Sequence, residues 1–422
     1  MPDYKKKKHS KLFRPKPKKI KKSAQKFDIE MEAQKPRPKR QKPSSMKVVK
    51  GKKEEHLRRW KITAIGVALA LVLVVVLNLI FPAGLFQSVS NAVSIIGTGS
   101  FPIETDGTQT INTVSKGNYF YVLTNSHISA ISNSGKKIFS FAHGFDNPVI
   151  KTSSDFSLVY EQGGKQVLIF DLKGLKRSAE AKKAILTAAI SDSGAYAIAT
   201  RSEKYNSAVT VYSKKGKMLY EWYSAEDTVN NVVISPRANK IAVSTFNASS
   251  GQFASSVKVL SFKSPTPLFT YNISGSLVYN LDNSSRSGFT IIESNTLKFV
   301  KWSNYKTLEY TNEYNTSMLR TSKNGKIAVF NRESDKTDNK IAVFAKNGKC
   351  KYELQYKGII SDIALLGRHI YCISDTDVFV LDTNGEVINR MQYGFGATRI
   401  SVTGNNTVAI ITDNKIEKQK LE

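Results

Sequence analysis

Beyond residue 97, apolar and polar positions alternate with the period of two expected of half-buried strands, and the alternation itself recurs. ISAISNSGKKIFSF (128–141), VTVYSKKGKMLYEW (209–222), IAVFAKNGKCKYEL (341–354) and VFVLDTNGEVINRM (378–391) each read as strand, polar turn with Gly, strand. LIFDLKGLKRSAE (168–180) is a looser copy. The turn glycines fall at 135, 174, 216, 348 and 385, spaced by 39, 42, 132 and 37, and 132 is three times 44. Two copies without the glycine, VKVLSFKSPTPLFTY (257–271) and LKFVKWSNYKTLEY (297–310), fill the gap. The chain therefore holds seven units of about forty residues.

A second stretch precedes these hairpins: AAISDSGAYAIAT (188–200), VVISPRANKIAVST (232–245) and LRTSKNGKIAVFN (319–331). Each joins two apolar strands through a Ser/Asp/Asn/Gly turn, so one unit is a four-stranded meander. A four-stranded repeat of this length predicts a β-propeller blade. Runs as small as AAI and VVI suit the crowded inner strands. The one candidate helix, KRSAEAKKAILTAA (176–189), ends in residues that fit the next strand equally well. Past the seventh unit, TRISVTGNNTVAIITDNKIEKQ (398–419) offers two or three unpartnered strands, and SFPIET (100–105) offers one. Pairing the two ends would close an eighth, composite blade, so eight blades are favoured over seven.

The N-terminal part follows another pattern. From Ile62 to Phe81 only Thr63 and Asn78 are overtly polar, and there is no polar stripe. Roughly 20 such residues span the ~30 Å hydrocarbon layer as a helix. The run is too long for a signal-peptide core and sixty residues precede it, so it reads as one uncleaved transmembrane helix. Lys52, Lys53, Arg58, Arg59 and Lys61 precede it, whereas the first basic residue after it is Lys116. By the positive-inside rule the N-terminus is cytoplasmic and the larger part lies outside, as a single-pass cell-membrane protein. LFQSVSNAVSII (85–96) has helical spacing, fitting a short stalk helix or one lying on the membrane. The expected organisation is a disordered basic tail (1–61), a transmembrane helix (62–82), a juxtamembrane stalk (83–99), an all-β propeller (100–415) and a C-terminal end (416–422).

Charge sharpens this division. Of the chain's net +29, residues 1–61 supply 24 basic and 6 acidic groups, leaving 39 and 28 for the remainder. So charged and Pro-rich a tail buries too little surface to offset chain entropy. Contact with anionic lipid on the inner membrane face, or a tail that only fixes topology and solubilises the N-terminus, is the favoured reading. Nucleic acid is disfavoured, because no aromatic or folded base-recognition motif accompanies the charge.

On these residues, the Ser-Pro/Asp-x-x-Lys-Ile-Ala-Val turns resemble those of WD40- and TolB-type propellers, and the strand-Gly-Lys-strand hairpins resemble PQQ-like repeats. Basic tail, single helix and outer propeller together resemble an uncharacterised family of membrane-anchored propeller proteins from Gram-positive bacteria. The resemblance implies the fold and carries no activity.

Candidate chemistry is sparse. His127, His143 and His369 fall in different blades without a metal-binding spacing. GFGATR (394–399) begins like a dinucleotide loop, but no helix follows. Asp375, Asp377, Asp382 and Asn384 read as turn residues, since strand alternation separates them too widely for calcium. Glu226 and Asp227 are expected in an exposed loop, and Trp222 and Trp302 in the core. Cys350 and Cys372 lie in the last strand of blade six and the second of blade seven. Buried free thiols are the favoured reading, and a disulfide, which requires Cα atoms within ~7 Å, is the alternative. No catalytic, cofactor or metal residues are assigned and no cofactor is expected. The reading is a surface module binding a protein or glycan partner, in envelope assembly or sensing. Its alternatives are a propeller enzyme acting on glycans or a quinone-type cofactor, and a receptor with the tail as output. A binding module should carry exposed aromatic and aliphatic side chains gathered on one face.

Overall fold

The computed structural model describes residues 100–421 except 250, 251, 323, 324, 333, 375, 395 and 405. The basic tail, the apolar run 62–82 and the stalk 83–99 lie outside the described residues, and among these no helix is long and apolar enough to cross a membrane.

The described chain forms eight four-stranded antiparallel sheets. Seven are consecutive meanders, spanning 110–142, 148–180, 185–224, 228–274, 280–311, 315–357 and 362–392. The eighth is composite, as expected: β30 (Arg399–Gly404), β31 (Thr407–Ile411) and β32 (Lys415–Lys420) take β1 (Ile103–Glu104) as their outermost strand. Ile103 pairs with Ile416, and Thr105 N donates to Asn414 O at 2.9 Å. Inner strands of successive blades lie side by side, and β30 returns to β2 (Thr110–Ser115), which closes the ring. The expected seven-bladed alternative falls.

Local sequence explains the meanders. In the outer hairpins of blades one, three, six and seven, the turn glycines 135, 216, 348 and 385 have φ between +81° and +90°. Gly135 N donates to Ser132 O at 2.9 Å, and the ladder slips by one residue between Ala130 and Ile131. This is a type I turn followed by a left-handed residue in a bulge, a conformation glycine adopts without a Cβ penalty. The glycine-less turn of blade five places Tyr305 there instead, at φ +59°.

Burial follows the ring. The core divides into eight clusters, each built from the facing sides of two neighbouring blades. No blade buries both faces alone, so stacking supplies the stability. The seam between blades eight and one is the thinnest, resting on Phe120, Val122, Ile131, Ala409, Ile411 and Ile416.

The strands decide three points that the sequence left open or misplaced. Residues 176–189 form no helix: β9 (Gly174–Glu180) and β10 (Ile185–Ile190) occupy them. The propeller runs past residue 415, because β32 inserts Ile416 into the closing seam and Leu421 packs between blades seven and eight. Cys350 and Cys372 form no disulfide and are both free thiols. Cys350 packs in the seam between blades five and six, and Cys372 is fully buried between six and seven. Burial, then Glu353, pushes the Cys350 thiol up to about 11. Burial, then Asp362, pushes Cys372 up as well.

Candidate interaction face

In a meander, turns alternate between the two ends of the strands. One face of the ring therefore carries the turns from first to second and from third to outermost strands. The chain enters the ring on this face, where Phe101 packs against the Gly135 turn, so it is the proximal face. The other, distal face carries the turns from second to third strands and the connections between blades.

On the distal face, four exposed aromatic side chains gather on blades three to five: Tyr205 (43 %), Tyr223 (45 %), Phe253 (55 %) and Tyr279 (59 %). Tyr205 and Tyr223 touch, with ring centroids 4.9 Å apart. Continuity comes from hydrogen bonds across the blades. Val229 N donates to Ser207 Oγ at 2.9 Å, and Asn231 Nδ2 donates to Tyr279 O at 3.3 Å. Above them rises the longest hairpin of the fold, β15 (Lys240–Ser249) with β16 (Gln252–Ser261). Pairing with the inner strand stops at Phe246 and with the outer strand at Ala254, so 247–249 and 252–253 extend beyond the rest of their sheet.

Asp227 anchors that hairpin. It accepts from Thr245 Oγ1 at 3.0 Å and Asn247 Nδ2 at 2.7 Å, and pairs with Lys258. Burial raises its carboxyl, but these donors and the Lys258 charge outweigh it and hold the group below the usual range. The expectation of an exposed loop thus holds for Glu226 and fails for Asp227.

A second cluster lies at the proximal mouth of the central funnel. Asp192 of blade three accepts from Ser154 N of blade two at 2.8 Å and from Arg286 Nε of blade five at 3.3 Å. Asp282 of blade five pairs with Lys326 of blade six, and Asn283 Nδ2 donates to Ile234 O of blade four. Lys116 of blade one and Lys151 of blade two complete the cluster. Burial pushes the Lys116 amine down to about 8, against the opposing pull of Asp282, Asp192 and Asp155. Lys151 is also pushed down by burial, opposed by Asp282.

Because the folded Lys116 value lies below its ordinary 10.5, the unfolded chain binds more protons between pH 8 and 10.5. The charged amine therefore penalises folding below pH 8, and stability rises as pH climbs from about 8 to 10.5. Lys116→Met is expected to stabilise the protein at pH 7 by about 1–2 kcal/mol, discounted for water in the funnel, and to flatten that rise. Urea denaturation across this pH range checks both; an unchanged profile refutes the assignment.

The other sequence candidates are structural. His143 is buried, its Nε2 meeting Thr124 O at 3.1 Å while Nδ1 accepts from Phe145 N at 3.0 Å. His127 opens its strand beside Ser126, at 2.9 Å. Asp382 Oδ1 accepts from Asn384 N and Glu386 N at 2.8 and 2.9 Å, as its turn reading requires, and Asp375 lies outside the described residues. Trp302 is buried against Phe289, and Trp222 packs against the seam between blades three and four. Among the described residues no group of three or more His, Cys, Asp and Glu is placed to hold a metal. The aromatic face itself was not assigned from the sequence. Its residues sit in strands and turns like any others, and only the prolonged apolar alternation around 241–259 hints at the long hairpin.

Solved structures resemble this chain at low identity. BamB from Moraxella catarrhalis matches with a TM-score of 0.48 and 12 % identity, over 76 % of this chain and 99 % of that one. Kuenenia stuttgartiensis hydrazine synthase gives 0.41 and 13 %, over 75 % and 97 %. The β-propeller domain of Cps50 (Swd1) from Myceliophteria thermophila gives 0.43 and 8 %, over 76 % and 100 %. No curated protein matches the sequence. A family model covers residues 98–421, the whole ring, and by that match the chain belongs to a family of unknown function, DUF5711.

Proposed function

We propose that this chain is a membrane-anchored, extracytoplasmic β-propeller working as a protein-interaction module at the cell surface. The anchor is the uncharged run 62–82, oriented by Arg58, Arg59 and Lys61 on its N-terminal side. The observation that carries the interaction role is the gathering of Tyr205, Tyr223, Phe253 and Tyr279 beside a protruding hairpin on one face. Aromatic side chains present large contact area at low entropic cost and dominate protein interfaces. The hairpin adds short unpaired strand edges, which an incoming extended segment can extend.

The test places a photo-crosslinking residue at Phe253 or Tyr279 of the full chain in intact cells, with Lys214 on the proximal face as control. Discrete adducts with one or two proteins are expected from the first two positions and not from the third. Tyr205→Ser combined with Tyr223→Ser is expected to weaken capture about thirtyfold, at roughly 1 kcal/mol per anchor. Adducts of equal yield from all three positions, or none from any, overturn the reading.

A further inference from the structure

The two faces of the ring differ sharply in charge. Among the described residues, the turns of the proximal face carry thirteen Lys and Arg against four Asp and Glu. The turns and connections of the distal face carry six against nine. The excess is carried by five blades rather than confined to one turn: Lys136 on blade one, Lys214 and Lys215 on blade three, Arg237 on blade four, Lys306 on blade five and Lys349 on blade six, whereas Arg368 on blade seven is outweighed by Asp382 and Glu386. Few of these charges are neutralised locally, since most of the ion pairs lie within sheets or on the distal face. The aromatic cluster occupies the opposite, acidic face.

The chain enters the ring on this same basic face. β1 runs antiparallel to β32 and reaches the distal side only at Thr105, so Ser100 and Phe101 lie at the proximal rim. Seventeen residues, 83–99, separate this point from the end of the apolar run.

We infer that the proximal face of the propeller docks on the anionic lipid headgroups of the membrane that anchors the chain, leaving the aromatic distal face turned outward. The inference rests on the reading of 62–82 as a membrane span. Two observations select this occupant over a soluble partner. A surface with a net positive charge on five blades of the ring is complementary to a plane of phosphates rather than to a compact protein, and lysines within a Debye length of such a plane are drawn to it. The tether also leaves from this face, which holds the basic turns at high effective concentration near the bilayer. Docking then fixes the disc with its partner-binding side exposed, so charge and tether together set its orientation.

The experiment uses the full chain in vesicles of phosphatidylcholine, with or without phosphatidylglycerol, in a Cys350→Ser background. A fluorophore is attached through Ser134→Cys on the proximal face or Lys204→Cys on the distal face, and headgroup-linked spin labels quench it at short range. In anionic vesicles at low salt, quenching at position 134 is expected to exceed that at 204 about threefold, a contrast that fades at 1 M salt or in neutral vesicles. Replacing Lys214, Lys215 and Lys217 by Glu is expected to reduce it while urea unfolding stays unchanged. Equal quenching at the two positions, or a contrast indifferent to lipid charge, overturns docking. Flotation with neutral vesicles reads the anchor separately. A chain that floats with neutral vesicles but shows no contrast keeps its anchor and loses the docking face. One that floats only with anionic vesicles and is released by salt keeps the docking face and loses the anchor. One that floats with neither loses both.

Discussion

Truncation after Asn414 is expected to abolish cooperative folding. It removes β32, the strand joining β31 to β1, so β1 loses its only sheet partner and β31 is left with an open edge. Ile416 leaves the closing seam, already the thinnest of the eight, and Leu421 leaves the seam between blades seven and eight. Each fully buried aliphatic side chain is worth about 2–5 kcal/mol, against a typical total stability of about 5–15 kcal/mol. A ring that cannot close also exposes the facing sides of blades one and eight together, and an unpaired apolar strand edge favours aggregation. Loss of soluble protein, or of a sigmoidal urea transition, is the expected readout. Removal of Glu422 alone is expected to change nothing. A 1–414 chain that unfolds at the full-length midpoint would show that the ring closes without β32.

Phe170→Ala is expected to cost about 3–5 kcal/mol, the largest effect of a single substitution anticipated here. Phe170 is fully buried in the third strand of blade two. Its ring stacks on Phe139 of blade one at 5.6 Å and 6°, and meets Phe141 edge-on at 5.4 Å. Truncation would therefore empty a space between blades and remove two ring contacts, each worth about 0.5–1.5 kcal/mol beyond area. The backbone there is tied into sheet ladders on both sides and has little freedom to collapse. Phe170→Leu, which keeps most of the volume, is expected to cost under half as much. Urea titration should move the midpoint at constant slope. A Phe170→Ala midpoint within error of wild type would mean the seam between blades one and two bears no load.

The two variants act on different links of the same chain of causes. Phe170 tests the packing that holds neighbouring blades together, and β32 tests the topology that makes the ring finite. Neither touches the exposed aromatic face, so a variant that folds and fails to capture a partner separates binding from stability.

Much of the fold was legible because its causes are local and repeat. A hairpin turn needs a left-handed residue, glycine supplies one cheaply, and the glycines at 135, 216, 348 and 385 mark the period. Where Tyr305 takes that conformation the signal vanished, and only the spacing of 132 betrayed the missing copies. Closure was legible as a count of strands left over at the two ends. Its boundary was misplaced because Lys415–Lys420 carries one apolar residue among charges, and only the seam shows that Ile416 points inward. Asp227 looked like a loop residue for a similar reason: Lys258 and Asn247, which hold it, are 31 and 20 residues away in sequence.

Alternation, turn chemistry and an interval of about forty residues are properties of neighbours along the chain, so the sequence by itself determined the four-stranded blade and its repetition and favoured closure through the chain ends, while the structure decided for eight blades over seven. The aromatic cluster on blades three to five, the contrast between a basic and an acidic face, and the carboxylates gathered around Lys116 depend on residues far apart in sequence. Only the tertiary structure decided these. The meander sets which turns share a face, but only the closing of the ring sets which blades confront one another across the funnel, and no period along the chain encodes that.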